Sequence, residues 1–411
     1  MNFRRILKAS PIFVALASFY GPALSQAPAS PRPEDALVAA YNATGERLFQ
    51  DLAQEPGNIV LSPYSIGSAL SMVLAGARGQ TAAATSDTRG PHLSATDLAA
   101  ANASLIANLK AAGGKDSVTL NSANALIEVR PGIVSADYRA LLQKSYGAEA
   151  FSGDLDAINR WVAQKTSGKI PHILDSLPDG TGFVLANAAY FKAFWQHPFD
   201  KHATEDGTFH LTALKPVQVP MMHNEDHFAL VKGNGYKAIR LPYRSDGERL
   251  SMIVVIPDAI NGLGALIAGL GPDQLARLLA DLNTADFVDV RLQVPRFHAD
   301  FQASLAAPLQ ETGMAAAFDL QKADFRGITD GSLAAQQVAM GDVIHSAVVD
   351  VNEESSEAAA ATVVPMIATA MAPQYEPVPE PFIVDRPFLF FIVDQQTGAV
   401  LFQGRIADPR K

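Results

Sequence analysis

Two short segments in the middle of the chain contain residue types that could bind a metal ion or a nucleotide. The first, His223-Asn-Glu-Asp-His227, has two histidines four residues apart with two carboxylates between them. On a helix, this spacing could hold a divalent metal. The flanking residues, 219–222 and 228–231, instead have the character of two strands joined by a turn, so no metal site is predicted here.

The second segment, Gly233-Asn-Gly-Tyr-Lys-Ala238, imitates the glycine pattern of a dinucleotide site. Such a site needs a helix directly after the glycines, because the helix N-terminus holds the pyrophosphate. Residues 239–243 do not have a helical pattern. The glycines are therefore predicted to form the turn of a hairpin.

Other catalytic motifs are missing from the sequence. It contains no Gly-x-Ser-x-Gly elbow, no phosphate-binding loop and no zinc-protease motif. It also contains no cysteine, which excludes thiol chemistry and disulfide bonds. We therefore expect neither an enzyme nor a bound cofactor or metal.

The most informative residues lie near the C-terminus. Residues 343–352 alternate as a half-buried strand does, with a period of two. Residues 353–371 contain none of the Gly, Asn and Asp residues that usually form turns. One face of this segment would carry only uncharged residues: Ser356, Ala358, Ala360, Thr362, Val364 and Met366. The segment is predicted to be exposed at first and able to join a sheet later as an additional strand.

Hydrophobic periodicity predicts the elements that position these residues. Helices are predicted at residues 34–54, 62–77, 94–111, 135–146, 155–166, 264–282 and 301–313. Strands are predicted at residues 118–129, 183–191, 252–256, 287–297, 388–393 and 399–403. Ser62 before Pro63 is a typical helix start, and Thr397-Gly398 is predicted to be the turn of a closing hairpin. Because helices come mostly first and strands mostly later, the pattern indicates an α+β protein.

Several segments resemble those of one protein family. Residues 353–362 are similar to the hinge of the serpins, the serine protease inhibitors that trap a protease by inserting their reactive loop into a β-sheet. Further signature segments resemble those of the family, in the family's order, at residues 58–66, 187–195, 219–222, 345, 386–390 and 401–404. Together they extend over nearly the whole chain, from about Glu34 to Pro409.

The resemblance implies an α+β serpin fold in a single domain, residues 34–411. This fold has three β-sheets, a cluster of eight to nine helices and an exposed reactive-centre loop, here at about residues 353–381. Residues 26–33 are expected to form a flexible segment before the domain.

The resemblance also implies roles for individual residues. The hinge would comprise Glu353, Glu354, Ser355, Ser356, Glu357, Ala358, Ala359, Ala360, Ala361 and Thr362. The shutter, a polar cluster beneath the sheet that opens to admit the loop, would comprise Ser62, Ser65, Asn187 and His345. The breach, where insertion begins, would comprise Trp195 and Arg296, with Arg296 paired to Glu353. Each shutter residue is equally well interpreted as an ordinary buried polar group with its hydrogen bonds satisfied.

The implied function is that of a suicide substrate that forms a covalent 1:1 complex with a serine endopeptidase. The usual hinge length puts the reactive bond at Thr369–Ala370. The segment that follows is unusually long, so bonds after Ala370, Met371 and Tyr375 remain alternatives. Thr, Ala and Met suit an elastase-like or subtilisin-like protease, and residues 353–384 contain no Arg or Lys for a trypsin-like one.

Small residues at the hinge are typical of inhibitory serpins, and Ser356 with the alanines at 358–361 favours inhibition. Two departures oppose it, because Ser355 replaces a usual glycine and Pro365 lacks the N–H that a central strand needs. Two alternatives stay open. One is a non-inhibitory serpin that acts as a binding or chaperone-like protein, and the other is a cross-class inhibitor of papain-like cysteine proteases.

The N-terminal residues indicate export. Basic residues at positions 4, 5 and 8 precede an apolar run over 11–24, which is shorter than the roughly 20 residues of a membrane span. Ala23 and Ser25 supply small residues at the cleavage positions, so residues 1–25 are predicted to be a signal peptide. We expect a secreted or periplasmic monomer with no stable membrane association. Losing three positive charges takes the formal charge from −10 to −13, which disfavours nucleic acid as a partner.

Overall fold

The architecture consists of a five-stranded and a larger β-sheet, with helices packed against them. The computed structural model describes residues 32–89, 93–112, 117–166, 168, 170–329, 338–353 and 378–411. Residues 32–411 form one compact unit. The predicted signal peptide and most of the predicted reactive-centre loop lie outside the described residues. None of the helices in the described ranges is long and apolar enough to cross a membrane.

The helices begin where the sequence supplies caps. Ser62 caps the second helix, because its hydroxyl accepts a hydrogen bond from the Ser65 amide at 3.2 Å and Pro63 occupies the first helical position. The helices are α1 (Pro33–Leu52), α2 (Pro63–Gly76), α3 (Gly79–Arg89), α4 (Ala95–Ala112), α5 (Ala136–Leu141), α6 (Leu155–Lys165), α7 (Leu263–Gly269), α8 (Pro272–Thr284), α9 (Ala306–Leu309) and α10 (Ala315–Phe318). Single π-helical turns at Leu142–Tyr146 and Gln310–Met314 follow α5 and α9.

The five-stranded sheet contains the strand that leads into the predicted loop. Its strands are β2 (Val118–Glu128), β3 (Glu149–Ser152), β4 (Phe183–Ala193), β10 (Phe297–Ser304) and β11 (Met340–Val351). They lie in the order β10-β11-β4-β2-β3. The pairs β10–β11 and β4–β2 are antiparallel, whereas β11–β4 and β2–β3 are parallel.

The larger sheet contains nine strands within the described residues. They are β1 (Ile59–Leu61), β5 (Glu205–Thr212), β6 (Lys215–Lys232), β7 (Tyr236–Pro242), β8 (Leu250–Pro257), β9 (Phe287–Pro295), β12 (Glu380–Ile383), β13 (Phe388–Asp394) and β14 (Ala399–Ile406). The 18-residue strand β6 joins two halves of the sheet, since it pairs with β5 over residues 215–221, with β9 over 221–229 and with β7 over 229–232. The half formed by β5, β6, β9 and β12 is the predicted third sheet, continuous with the second.

Four predicted elements are wrong or incomplete. Residues 219–231 form one strand and not two strands with a turn, because the ladder to β9 continues through His223 and His227. The predicted helix over 264–282 is two helices, separated by Leu270 and Gly271, with Pro272 at the first position of the second helix. The predicted strand over 287–297 ends at Pro295, and residues 297–304 begin a second strand, so the helix expected from residue 301 starts only at 306. Helix α3 was not predicted.

Other elements confirm the predictions. The closing hairpin turns at Thr397-Gly398, where Gly398 has a φ of 72°, a conformation that favours glycine. Residues 233–235 form the turn between the antiparallel strands β6 and β7, so the glycine-rich segment is the predicted hairpin. Both faces of the five-stranded sheet are covered, because α6 packs Ile158, Trp161 and Val162 onto the face opposite to α2.

Candidate functional site

The candidate site is the junction between β11 and β4, together with the polar groups below and above it. The two parallel strands are paired from Met340 with Phe183 to Val349 with Phe191. The predicted loop leaves β11 just above this junction, at Glu353. A segment that enters the sheet from Glu353 must separate these two strands.

The middle of the junction carries a polar rung in an otherwise apolar core. His345 on β11 lies directly opposite Asn187 on β4, and Asn187 lies opposite Asn124 on β2. His345 and Asn187 are completely buried, and Asn124 is nearly so. Directly opposed residues point to the same face of a sheet, so the three side chains meet above the N-terminus of α2.

Asn187 is the centre of this cluster. Its amide nitrogen donates to the Ser65 hydroxyl and, at 2.5 Å, to the Asn124 side-chain oxygen. Its side-chain oxygen lies 2.5 Å from His345 Nδ1. Removing Asn187 would therefore take one hydrogen bond from each of three neighbouring elements, which is costly in a buried site.

The hydrogen bonds of His345 define its tautomer. The Ser62 backbone N–H donates to His345 Nε2 at 3.2 Å, so Nε2 carries no proton. Nδ1 is then the protonated nitrogen and donates to Asn187. Complete burial lowers the pKa of His345 to about 3, which keeps the imidazole neutral. The predicted shutter residues Ser62, Ser65, Asn187 and His345 are thus brought together in one uncharged network.

Three members of this network were not predicted from the sequence. They are Asn124, Ser122, whose hydroxyl lies 2.7 Å from that of Ser65, and Ser68, which accepts from Asn124 at 3.4 Å. A partial signal was present, because Asn124 lies within the predicted strand over 118–129 and a buried amide requires partners. The partner could not be named without the strand register.

The upper end of the junction is closed by Trp195. Its indole N–H donates to the Asn352 carbonyl at 2.8 Å, just beyond the last residue of β11. The ring is stacked on Tyr243 at 4.4 Å and contacts Phe199 edge-on at 5.9 Å. Trp195 therefore links the segment after β4 to the segment after β11 through a hydrogen bond.

A charged group closes the junction beside Trp195. Arg296 forms an ion pair with Glu353, and the Thr204 hydroxyl donates to the same carboxylate at 2.7 Å. Partial burial alone would raise the pKa of Glu353, but the hydrogen bonds from Arg296 and Thr204 outweigh burial and hold this pKa below its ordinary value. The predicted breach residues Trp195 and Arg296 thus contact the consecutive residues Asn352 and Glu353, and the contact from Thr204 was not predicted from the sequence.

The remaining predicted site residues cannot be placed. Hinge residues 354–362 and the candidate reactive-bond residues Thr369, Ala370, Met371 and Tyr375 lie outside the described residues. Their roles remain predictions.

The two histidines of the first candidate motif lie on strand β6. The His223 Nε2 atom is 4.0 Å from a carboxylate oxygen of Glu205, and His227 Nε2 is 3.0 Å from that of Asp289. In the part of the chain that the structure describes, no three His, Asp or Glu side chains are grouped so as to hold a metal ion.

Comparison with known proteins identifies the family. A family profile described as serpin (serine protease inhibitor) matches residues 39–409. An uncharacterised serpin-like protein of Thermococcus kodakarensis is 34% identical over 388 residues, which are 92% of this chain and 87% of that protein. The leukocyte elastase inhibitor of Bos taurus is 35% identical over 391 residues, 91% of this chain and 99% of that protein.

A solved structure agrees with these relatives. The crystal structure of Serpin48 from the insect Tenebrio molitor superposes with a TM-score of 0.78 at 26% identity, and covers 91% of this chain and 98% of that one. The α+β fold, the parallel junction and the matched residues all lead to the same conclusion. The chain belongs to the serpin family.

Proposed function

We propose that this serpin is an inhibitor that traps a serine endopeptidase by inserting its cleaved loop between β11 and β4. The protease would cleave the loop and form an acyl-enzyme with its amino-side segment. That segment would then enter the five-stranded sheet as a new central strand before the acyl bond is hydrolysed. The product is a covalent 1:1 complex.

The topology of the junction is the observation that carries this proposal. β11 and β4 are parallel, and the loop starts at the C-terminal end of β11. A chain that turns back at Glu353 would run antiparallel to both strands. Insertion would break one parallel ladder and form two antiparallel ones, and antiparallel pairs are slightly more stable per residue.

The free energy available is large. About a dozen additional ladder hydrogen bonds contribute about 0.5 to 1.5 kcal/mol net each. Burial of Val364 and Met366 adds about 1.5 to 3 kcal/mol for each side chain. The gain is on the order of 10 kcal/mol, as large as the stability of a whole domain.

Insertion would also move the trapped protease a long way. β11 has 12 residues, which at about 3.3 Å each give a path of about 40 Å from one end of the sheet to the other. A protease dragged over this distance by its acylated serine would be pressed against the inhibitor. Distortion of its active site would then stop deacylation.

Elastase-like or subtilisin-like proteases are the proposed targets, with Thr369–Ala370 as the reactive bond. The apolar and small residues around this bond fit a small or medium primary pocket. Relatives named leukocyte elastase inhibitors, at 35% identity, support this choice. The proposed site of action is outside the cytoplasm, after removal of residues 1–25, with the inhibitor as a monomer.

Incubation with elastase, subtilisin, trypsin and papain tests the proposal. We expect a complex that survives heat and detergent on a denaturing gel with elastase or subtilisin, and none with trypsin. Mass spectrometry of the C-terminal fragment, separated by denaturation, would identify the cleaved bond. Cleavage without any stable complex would instead support a non-inhibitory serpin, and a stable complex with papain alone would support cross-class inhibition.

Two loop variants form a matched pair. Ala360→Arg places a charge on the face predicted to enter the core, and Ala359→Arg places the same charge on the opposite face. We expect Ala360→Arg to be cleaved without forming a complex, because a buried unpaired charge prevents insertion. Ala359→Arg should retain most of the complex. Equal complex yields for the two variants would contradict insertion as an alternating strand.

A further inference from the structure

A short connection lies at the top of the five-stranded sheet and holds the residue from which the loop starts. Residues 196–204, which we name the strap, join β4 to β5. The Phe199 amide donates to the Glu353 carbonyl at 3.1 Å, and the Thr204 hydroxyl donates to the Glu353 carboxylate at 2.7 Å. The hinge cannot turn down into the junction unless these bonds break or shift.

The beginning of the strap is fixed to strand β6. The side-chain amide of Asn224 donates to the carbonyls of His197 and Pro198, at 3.0 and 3.2 Å. The His197 Nδ1 atom lies 2.6 Å from a carboxylate oxygen of Asp226. The imidazole also packs edge-on against Phe228, with ring centres 6.0 Å apart. Histidine is the side-chain type whose ordinary pKa lies between about pH 5 and 8.

The contact between His197 and Asp226 belongs to a row of alternating histidines and carboxylates. The Nδ1 atom of His227 is 3.7 Å from Asp226, and its Nε2 atom is 3.0 Å from Asp289 on β9. The His197 and Asp226 side chains are 37% and 35% exposed, so protons reach them from solvent. Other charged groups lie on the strap and on the elements packed around it: Asp200, Lys201, His202, Glu205, His223, Glu225, Arg291, Arg296 and Glu353.

We propose that His197 is a positioning residue, which through Asp226 fixes the strap over the breach and makes the rate of loop insertion depend on pH. The inference rests on the proposed function. The imidazole is only two residues from the Phe199 amide that holds Glu353, so a strap anchored at His197 resists the movement that insertion requires. A charged imidazolium binds a carboxylate more strongly than a neutral imidazole does. Insertion is therefore slower in mild acid than in mild alkali.

The experiment measures how fast a synthetic peptide with the sequence of residues 354–366 joins the sheet of the mature, uncleaved protein. Joining is followed by native-gel mobility and by the gain in thermal stability, between about pH 5.5 and 8.5. We expect the wild-type protein to accept the peptide about two- to fivefold faster at the alkaline end, the range for a half-exposed charge pair. His197→Asn and Asp226→Asn should react at the fast rate at both ends.

His172→Asn is the matched control. His172 forms a similar exposed contact, 2.8 Å from Asp175, in the segment between α6 and β4. This variant should keep the wild-type pH profile. His345 stays neutral in the folded protein over this range, because burial lowers its pKa to about 3, and its effect on stability is common to all variants and cancels in the comparison. Burial raises the pKa of Glu46 to about 7, but Glu46 is common to all variants and cancels in the comparison.

The outcomes separate this inference from the proposed function. A peptide that joins the wild-type sheet at the same rate across the pH range, or a His197→Asn variant that retains the wild-type profile, overturns the role of His197 alone. If no peptide joins the wild-type protein at any pH, sheet insertion itself is wrong, and the role of His197 is wrong with it.

Discussion

The shutter and the breach close the same junction by opposite means. The shutter around Asn187 and His345 is buried, uncharged and held by hydrogen bonds to α2 and β2. The breach around Glu353 is charged, and its partner Arg296 is 48% exposed. The middle of the sheet is therefore insulated from solvent, whereas its upper end responds to salt, protons and contact with other molecules.

This difference indicates an order of opening. Separating the shutter strands first would expose several unpaired polar groups in the core at once. Opening the breach first needs only the loss of a few hydrogen bonds and of one ion pair, whose arginine is half-exposed and whose carboxylate is buried. We expect the junction to open from Glu353 downward, with the shutter setting the stability of the closed sheet and the breach setting the rate of entry.

The largest effect is expected for Asn187→Ala. This change removes three buried hydrogen bonds, so the free energy of unfolding should fall by about 3 kcal/mol. Urea unfolding followed by circular dichroism measures it. Asn121→Ala, an exposed position on β2, is the control and should change stability by less than about 0.5 kcal/mol. Equal effects at the two positions would remove Asn187 from the centre of the shutter.

The pH dependence of the two clusters should differ. The pKa of His345 in the folded protein is about 3, against 6.5 for an unburied histidine, so below pH 6.5 the unfolded chain binds a proton that the folded protein does not. The stability from this group is complete above pH 6.5 and falls toward pH 3. At pH 5 the loss should be about 2 kcal/mol relative to pH 7.

His345→Gln isolates this contribution, because the variant lacks the titrating group and should show a smaller loss between pH 7 and 5 in urea unfolding. Glu353 behaves differently. Its pKa is lowered from 4.5, so the stability it contributes is present above that value and is lost only as the pH falls below it. A His345→Gln variant with the wild-type pH dependence would contradict a neutral shutter.

Trp195→Phe should have an intermediate effect. The change keeps an aromatic ring against Tyr243 but loses the hydrogen bond to Asn352, which contributes about 1 kcal/mol. Amide hydrogen exchange at residues 348–353 should accelerate about fivefold. Trp161→Phe is a matched control, since it also loses an indole hydrogen bond, to Glu149 on the other face of the sheet. Faster hydrogen exchange at residues 348–353 in both variants would show that the breach does not open independently of the rest of the sheet.

The smallest effect is expected for Glu353→Gln. Loss of the ion pair between the buried Glu353 carboxylate and the half-exposed Arg296 should lower stability by about 0.2 to 1 kcal/mol, with the difference from the wild type shrinking at high salt. Thermal unfolding in low and high sodium chloride measures it. Arg291→Gln, which breaks the exposed pair with Glu225, is the control for a general salt effect. A difference for Glu353→Gln that does not depend on salt would mean that the ion pair is not the element that closes the breach.

The fold was predictable from the sequence where signals are local. The Ser62-Pro63 start of α2 and the turn at Gly398 depend on residues next to one another, and both predictions are confirmed. The predicted helix over 264–282 failed because its hydrophobic periodicity was given more weight than the Gly271-Pro272 interruption. The strand predicted over 287–297 runs past the end of β9 at Pro295 because the residues that follow also form a strand, β10. Only the pairing partners, β6 for β9 and β11 for β10, distinguish the two strands.

The same limit applies to the candidate site. The ion pair between Glu353 and Arg296 was predicted from the family resemblance, because composition and spacing do not indicate which residues are in contact. Asn124 and Thr204 were not predicted because their partners are distant in sequence. Asn124 is 63 residues from Asn187, and Thr204 is 149 residues from Glu353. Register decides such contacts, and register depends on the whole sheet.

The position of the C-terminal hairpin has a consequence for folding during synthesis. β13 and β14 are wholly buried and lie inside the larger sheet, between β8 and β1, although they leave the ribosome after every strand that flanks them. Until β13 and β14 have been synthesised, β8 and β1 have unpaired edges on either side of an open cleft. A nascent chain in this condition is exposed to aggregation, so a pause or a stop codon shortly before residue 388 should be far more damaging than its distance from the junction would indicate.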